Sequence, residues 1–370
     1  MKKFGTHTMA VFSDMNTNYD EMNNLMQDLA LGREIYDDEN DRVISKAEAN
    51  KKVLDFSHKV LGITDPRDVR EVRRAMRDNS REWFDIIEDT VSMVIEVGLK
   101  ESDWFNELVE RKSIAYGNRQ DFVIERPDAI LSVAKAGEQH NDHFLQRLRK
   151  GETISVPTSL WAVKIGADIN KYILGDVDWA KFVNAIAIAF TNQIQTQVYA
   201  EVSTAITQLP TRFKGTGTLV KADFDNIIQD VAAYNSSEVV IMGTKAALSK
   251  LSAIADVQWA PAEQKVSVMN SGNIGIYEGT RLVTIPTRFK DYNLGTVSQP
   301  SDFIFPTNEI LIMPVIGDAG KFVKMIDEGD VEILEKMEKG DYLSDLQTYQ
   351  VQRRYGIATV LGRYFGSWIM

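Results

Sequence analysis

The stretch Gly175–Pro210, GDVDWAKFVNAIAIAFTNQIQTQVYAEVSTAITQLP, is the longest helical pattern in the chain and decides how the rest is arranged. Its apolar side chains fall at Trp179, Phe182, Ile186, Phe190, Ile194, Val198, Val202 and Ile206, at a step of three and then at steps of four. An α-helix turns about 100° per residue, so each four-residue step drifts by about 40° and the stripe winds around the rod. At about 1.5 Å per residue the rod is about 45 Å long. A winding stripe suits different neighbours at the two ends, and the segment reads as a spine. Asn184, Thr191, Asn192, Gln193, Gln195, Thr196 and Gln197 break the uncharged run from Val183 to Ala200, which therefore could not cross a bilayer cheaply.

Upstream of the spine, Asp121–Ala134 (DFVIERPDAILSVA) and Thr153–Asp168 (TISVPTSLWAVKIGAD) are rich in Val, Ile and Thr and read as long strands. They flank a polar tip, Lys135–Glu152, so together they form a long hairpin. Pro127 and Pro157 place it at an edge or free of any sheet. A lone hairpin is marginal in water. Its apolar residues, Phe122, Ile124, Ile130, Leu131, Ile154 and Trp161, are therefore candidate contacts with a neighbouring molecule.

Residues 45–112 are helical in composition. Thr64-Asp65-Pro66-Arg67-Asp68 is a start signal, with Asp65 as N-cap, Pro66 at the first position and Asp68 at the third. Trp83, Phe84, Ile86, Ile87, Val91 and Val94 continue a stripe that closes near Gly98, and a second helix spans Asp103–Lys112. Residues 1–40 show little periodicity and read as an arm, without the apolar core of a signal peptide.

Downstream, a glycine loop at 214–217 leads to a helix, Asp223–Tyr234, and a buried strand, Glu238–Met242. Thr244 caps a further helix, Lys245–Ile254, and short strands follow at Asn273–Tyr277, Arg281–Ile285 and Glu309–Val315. In the last run Tyr349, Val351, Tyr355 and Ile357 share one face, and Thr348, Gln350, Gln352 and Arg354 the other. The fold class is α+β. No solenoid period is present, although the pentapeptide Pro-Thr-Arg-Phe-Lys occurs at 210–214 and 286–290.

The chain of 370 residues is long enough for two or three cores. Its net charge of −11 argues against tight, sequence-independent nucleic-acid binding by the whole surface. It has no cysteine, which excludes disulfides, thiolate catalysis and Cys-based metal sites. Four histidines are few for acid–base or metal chemistry. His140 and His143 with Asp142 could be drawn as a metal site, but a solvated hairpin tip explains them as well. Asp37–Asp41 with Glu48 mimics a calcium loop, yet Arg42 stands where the sharp turn needs glycine. Gly215-Thr-Gly217 is an incomplete dinucleotide turn, and Met242-Gly-Thr-Lys245 could cradle an anion at a helix start. No nucleophile elbow, phosphate loop or zinc-protease motif occurs. We expect no catalytic residue, no metal and no cofactor.

One charge feature is sharper. On a helical wheel Arg67, Arg70, Arg73, Arg74, Arg77 and Arg81 fall within about 120° of arc. Either they pair internally with the acidic run Glu82, Asp85, Glu88, Asp89 and Glu96, or they meet another subunit or nucleic acid. Arg212 and Lys214 are further candidate contacts of that kind.

The order of parts resembles the major capsid proteins of tailed bacteriophages, with the Hong Kong 97-type fold. The resemblance is carried by the extended loop Arg119–Ala167, by Gly175-Asp-Val-Asp-Trp-Ala-Lys-Phe182 opening the spine, and by Val239-Val-Ile-Met-Gly-Thr-Lys-Ala-Ala-Leu248. The strands Asn273–Tyr277 and Arg281–Pro286 and the final strand Gln347–Gly362 complete it. It implies an N-terminal arm and helical region at 1–115, an extended hairpin loop at 116–170, and spine and glycine loop at 171–217. An axial domain at 218–316 and peripheral return strands at 317–370 follow.

The implied role is a non-enzymatic shell subunit. Its main partner would be itself, in hexameric and pentameric capsomers enclosing a double-stranded DNA genome in a virion assembled in the bacterial cytoplasm. Portal, scaffold or decoration proteins would join it, contact with packaged DNA would be weak, and no membrane is involved. Some relatives weld subunits by a lysine–asparagine bond, but 321–370 contains no asparagine, so the shell should be non-covalent. A nanocompartment shell of the same fold, or an α/β enzyme using the turn at Gly243, are the other readings.

Overall fold

The computed structural model describes residues 8–9, 19–37, 42–124, 152–167, 169–254, 275–290, 299–336 and 347–370. The first half contains β1 (Thr8–Met9), α1 (Tyr19–Leu31), β2 (Ile35–Asp37), β3 (Arg42–Ile44), α2 (Lys46–Leu61), α3 (Val69–Lys100), α4 (Asp103–Leu108), β4 (Val109–Ile114), β5 (Asp121–Ile124), β6 (Glu152–Ser155), β7 (Ser159–Ala167), α5 (Ile169–Ile173) and α6 (Trp179–Gln208). The second contains β8 (Lys214–Thr216), α7 (Lys221–Asn235), β9 (Val239–Thr244), α8 (Lys245–Ile254), β10 (Ile276–Tyr277), β11 (Thr280–Ile285), β12 (Glu309–Pro314), β13 (Val323–Lys336), β14 (Gln347–Thr359) and β15 (Gly366–Ile369). Mixed helix and sheet is the expected class.

The spine α6 runs 30 residues, as its periodicity predicts, but α3 at 32 residues is longer. The two pack together with Trp83 edge-on to Trp179, centroids 5.3 Å apart. Across them lies α1, with Met22, Leu25 and Met26 fully buried. Within the 1–40 segment expected to be an arm, Tyr19–Leu31 is thus a core helix. Its signal was a single short i, i+3, i+4 pattern built from methionine and leucine.

Helix α3 also begins later than expected. Its N-cap is Asp68, whose Oδ1 accepts from Arg70 N at 2.9 Å, while Asp65 Oδ1 takes Arg67 N at 3.0 Å in the preceding turn. Glu71 reaches back to the backbone N–H groups of Thr64 and Asp65, which holds that turn out of the helix. The second expected helix stops at Leu108. From Val109 the chain enters a sheet, because β4 pairs in parallel with β13.

That sheet has the order β4-β13-β14-β7. The expected long hairpin is different in kind: β5 pairs with β6 over four residues, whereas β7 pairs with β14, with Trp161 opposite Arg353. Pro157, which has no N–H to donate, sits at the break between β6 and β7. Trp161 accordingly stacks on Tyr355, with centroids 5.8 Å apart, and belongs to this sheet and not to the hairpin.

The second sheet has the order β10-β11-β9-β12-β15-β8. Strands β9 and β12 are buried on both faces, which explains their unbroken apolar runs. Val240, Met242, Leu311 and Met313 turn towards the core shared with α1, α2, α3 and α6. Val239, Ile241, Ile310 and Ile312 turn towards α7 and α8. The last strand, β15, lies in this sheet between β12 and β8, apart from the return strands β13 and β14 with which the sequence grouped it.

Gly356 in β14 marks the tightest point of the hairpin root. A Cβ there would overlap the Pro157 carbonyl oxygen and lie 2.9 Å from its carbon, and backbone cannot step aside as a side chain can. Gly356→Ala should therefore cost about 1–3 kcal/mol, read as a lowered melting temperature. An unchanged melting curve would show that the root tolerates the displacement.

Candidate functional site

The hairpin root is built by β5, β6 and the end of the four-stranded sheet. Phe122 is fully buried, packs with Val156 and Ile326, and is flanked by Ile114, Ile154 and Ala358. Lys112 Nζ lies 4.4 Å from the centre of the Phe122 ring, a cation–π contact that keeps the ammonium near solvent. Ile124 is buried as well. Phe122 and Ile124 at the root are thus covered by their own chain, while Ile154 is half-buried. Ile130 and Leu131 lie outside the described residues. What the root leaves exposed is Val123 on the opposite face of β5, and Tyr116, over which Arg354 is placed at 5.1 Å.

Arg70, Arg73, Arg74 and Arg81 are solvent-exposed on the first half of α3; Arg67, expected on the same helix face, is exposed in the turn before the Asp68 cap, and the side chain of Arg77 is outside the described residues. Two members of the acidic run are engaged elsewhere. Glu88 accepts the Ile333 N–H of β13, and burial pushes its carboxyl up. Glu96 pairs with Lys100 at 2.8 Å and approaches Arg111 at 4.0 Å, and the Lys100 ammonium holds its carboxyl below the ordinary range. Glu82 and Asp85 stay exposed beside the arginines.

Arg212 makes a fork with the Asp230 carboxylate of α7, Nε to Oδ2 at 2.6 Å, which holds that carboxyl down. Lys214 donates to the Thr207 carbonyl at 2.8 Å. In the second copy of the pentapeptide, Arg288 donates to Asn192 on the spine at 2.7 Å and Phe289 stacks outside on Phe303. Phe213, by contrast, is buried against Tyr234 and Tyr364. The two copies occupy unrelated environments.

The other sequence candidates resolve into packing. Gly215 is small because a Cβ would strike the Trp368 ring, whose Nε1 donates to Gly217 O at 3.1 Å. The turn at Gly243 is closed: Thr244 is buried and Gly243 lies against the Glu309 backbone and Leu248. Glu48 belongs to a capping box with Ser45 at the start of α2. His58 donates to Ile173 O at 2.7 Å, while His7, His140 and His143 lie outside the described residues. Among the described residues there is no group of acidic, histidine or cysteine side chains that could hold a metal, and no helix long and apolar enough to cross a membrane.

Sequence reasoning missed the buried charges. Asp327 pairs with Arg111 at 2.5 Å and with Arg353 at 3.1 Å, and Lys324 pairs with Glu110, all where β13 meets its neighbours. Arg353 sits between Val351 and Tyr355 on the inward face, a position whose alternation called for an apolar residue. Glu309 is also buried, with Tyr199 of the spine donating to its Oε2 at 2.6 Å.

The described residues thus form an α+β chain with a rooted hairpin and a spine shared by two sheets. Its sequence matches the family described as "SPbeta prophage-derived putative capsid protein YonB" over residues 21–369, and the chain belongs to that family of capsid proteins. No curated protein matches it. Among solved structures it is similar to a chain of Microbacterium phage Oxtober96 at 13% identity, with a TM-score of 0.46 over 72% of this chain and 90% of that one. The acidic stable capsid of Helicobacter pylori bacteriophage KHP30 gives 10% identity and 0.47 over 70% and 85%. The virus-like particle from Pyrococcus furiosus gives 11% and 0.41 over 76% and 98%.

Burial pushes the Glu309 carboxyl above its ordinary value near 4.5. A raised folded-state value means its contribution to stability is fully present below about 4.5 and is lost as the pH rises through the folded value. Glu309→Gln removes that proton linkage while keeping an acceptor for Tyr199. Melting temperatures should show the variant gaining on the wild type between pH 4 and pH 7.5. Parallel curves would show that Glu309 does not titrate across folding.

Proposed function

We propose that this chain is the major head subunit of a tailed-phage type of particle. Copies of it assemble through hexameric and pentameric capsomers into an icosahedral shell of Hong Kong 97-type subunits around a double-stranded DNA genome, in a virion built in the bacterial cytoplasm. The observation that carries this reading is family membership along residues 21–369, which takes in both main sheets, the spine and the hairpin root together. On this reading 116–170 is the extended loop, 218–316 the axial part and 317–336 with 347–359 the peripheral return strands. Portal, scaffold or decoration proteins are its further partners. It performs no catalysis.

Negative-stain images of purified protein should show closed shells. Deleting 136–151, between the two halves of the hairpin, should leave a subunit that melts normally and forms no closed shells. Normal shells from that deletion would remove the loop from the assembly contacts. Particles boiled in detergent should run as one band near 41.8 kDa. A ladder of heavier bands would reveal covalent joining that the asparagine-free segment 321–370 does not supply.

A further inference from the structure

The Glu309 carboxyl enters the contact between the spine and the six-stranded sheet with one oxygen bonded and the other not. Only 7% of Glu309 is exposed. Its Oε2 accepts from the Tyr199 hydroxyl of α6 at 2.6 Å, while Oε1, shut from solvent as well, has no partner. Glu309, Tyr199 and the fully buried Thr244 line one cavity of about 10 Å³. Met242, Ile285, Phe305 and Leu311 make the rest of its wall largely apolar, and no lysine, arginine or histidine lines it. The Thr244 hydroxyl oxygen accepts the Ala247 N–H of α8 at 3.4 Å, which leaves the hydroxyl proton to donate.

We propose that this cavity binds one water molecule, which accepts from the Thr244 hydroxyl and donates to Glu309 Oε1. The volume is about the least that admits a water, and a buried water needs about two to four polar partners, which Thr244, Glu309 and the Tyr199 oxygen supply. A carboxyl oxygen shut from solvent without a partner gives up its hydration for nothing in return, so a site with these groups and this room does not stay dry. Water serves the carboxyl in either charge state. An ionised Oε1 needs a donor, a protonated one needs an acceptor, and water is both. A hard cation fits this wall poorly, since such ions take about six to eight oxygen ligands. The water joins separate contacts into one chain, from the spine hydroxyl through the β12 carboxyl to the Thr244 cap of α8. The turn at 242–245, which the sequence offered as a cradle for an anion, thus shares its cavity with the chain's own carboxyl. The site lies within one subunit and is independent of the shell reading.

The direct test is a crystallographic or electron-microscopy map of the full chain, fine enough to show ordered waters. A peak should stand within about 2.6–3.2 Å of both Glu309 Oε1 and Thr244 Oγ1. It should persist in Thr244→Ser, which keeps the hydroxyl, and be lost in Thr244→Val. No peak in the wild type, or a direct bond between Thr244 and Glu309, would overturn the proposal. A peak ringed by about six oxygens at about 2.4 Å would mark a cation and overturn it too. Melting temperatures read the same link in solution. Replacing both members of the polar pair, Tyr199→Phe with Glu309→Leu, removes the water's acceptor. The drop caused by Thr244→Val should then be about 2–4 °C smaller in that background than in the wild type. The lost cap at Ala247 is common to both and cancels. Equal drops would overturn the link, and if that background fails to fold the wild-type map decides alone. None of these results bears on whether copies assemble, which negative staining reads separately.

Discussion

The spine α6 must bury an apolar stripe that rotates along its length, and no single flat partner can cover such a stripe. At its start Trp179, Phe182 and Ile186 belong to the core formed with α1, α2 and α3. Towards its end the same helix meets both sheets: Tyr199 bonds Glu309 of β12, and Glu201 accepts the Thr359 N–H of β14 at 3.2 Å. Each fully buried large side chain contributes about 1.5–3 kcal/mol relative to exposure, so the sheets are held to the spine by far more than the polar bonds provide. The polar bonds fix register instead. A hydroxyl and two carboxylates at chosen turns let only one sliding position satisfy every partner.

The second constraint is the end of the four-stranded sheet where the hairpin is rooted. Buried charge is costly, and a buried pair is seldom a net gain over an apolar one. Asp327 nevertheless sits between Arg111 and Arg353, and Lys324 between Glu110 and the Phe122 ring. These pairs tie β4, β13, β14 and β5 together at one place. Removing one member would strand the other in a dry site, so β4 can pair with β13 in only one register without leaving a charge unmatched. The direction in which the hairpin leaves the body follows from that register and from the Pro157 break.

What was legible in the sequence was local. The α6 stripe, the apolar strands β9 and β12 and the Thr244 cap are each set by neighbours within a few residues, and each is found in the structure. What was hidden was non-local. Whether Thr153–Asp168 was one strand or two depended on β14, nearly two hundred residues away, and β15 joined the six-stranded sheet through β12 and β8. Arg353 reads as a solvent residue unless Asp327 is known to stand opposite its face. The candidate contact residues were picked out only by charge and apolarity. Of the hairpin set, Phe122 and Ile124 are buried within this chain and Trp161 is half-buried on Tyr355, since apolarity alone does not say how much of a residue's cover comes from its own chain.

A protein of this family has to stay soluble alone and still recognise its copies. A net charge of −11 serves the first need, since like-charged subunits repel at long range. That repulsion is screened beyond about 10 Å at 0.1 M salt, so at contact distance the local pattern of charge decides, not the sum. The exposed side of α3 shows how local such patterns are, with Arg70, Arg73 and Arg74 on its first turns and Asp78, Arg81, Glu82 and Asp85 interleaved beyond them. Contacts between exposed charges are weak and open readily, so a misplaced copy held only by them can leave again. A large apolar interface would hold errors as firmly as correct placements. The cover over Phe122 comes from within the subunit, whereas Tyr116, Val123, Leu160 and the charges of α3 are left on its surface, so the fold itself separates what it has already buried from what another molecule could still cover.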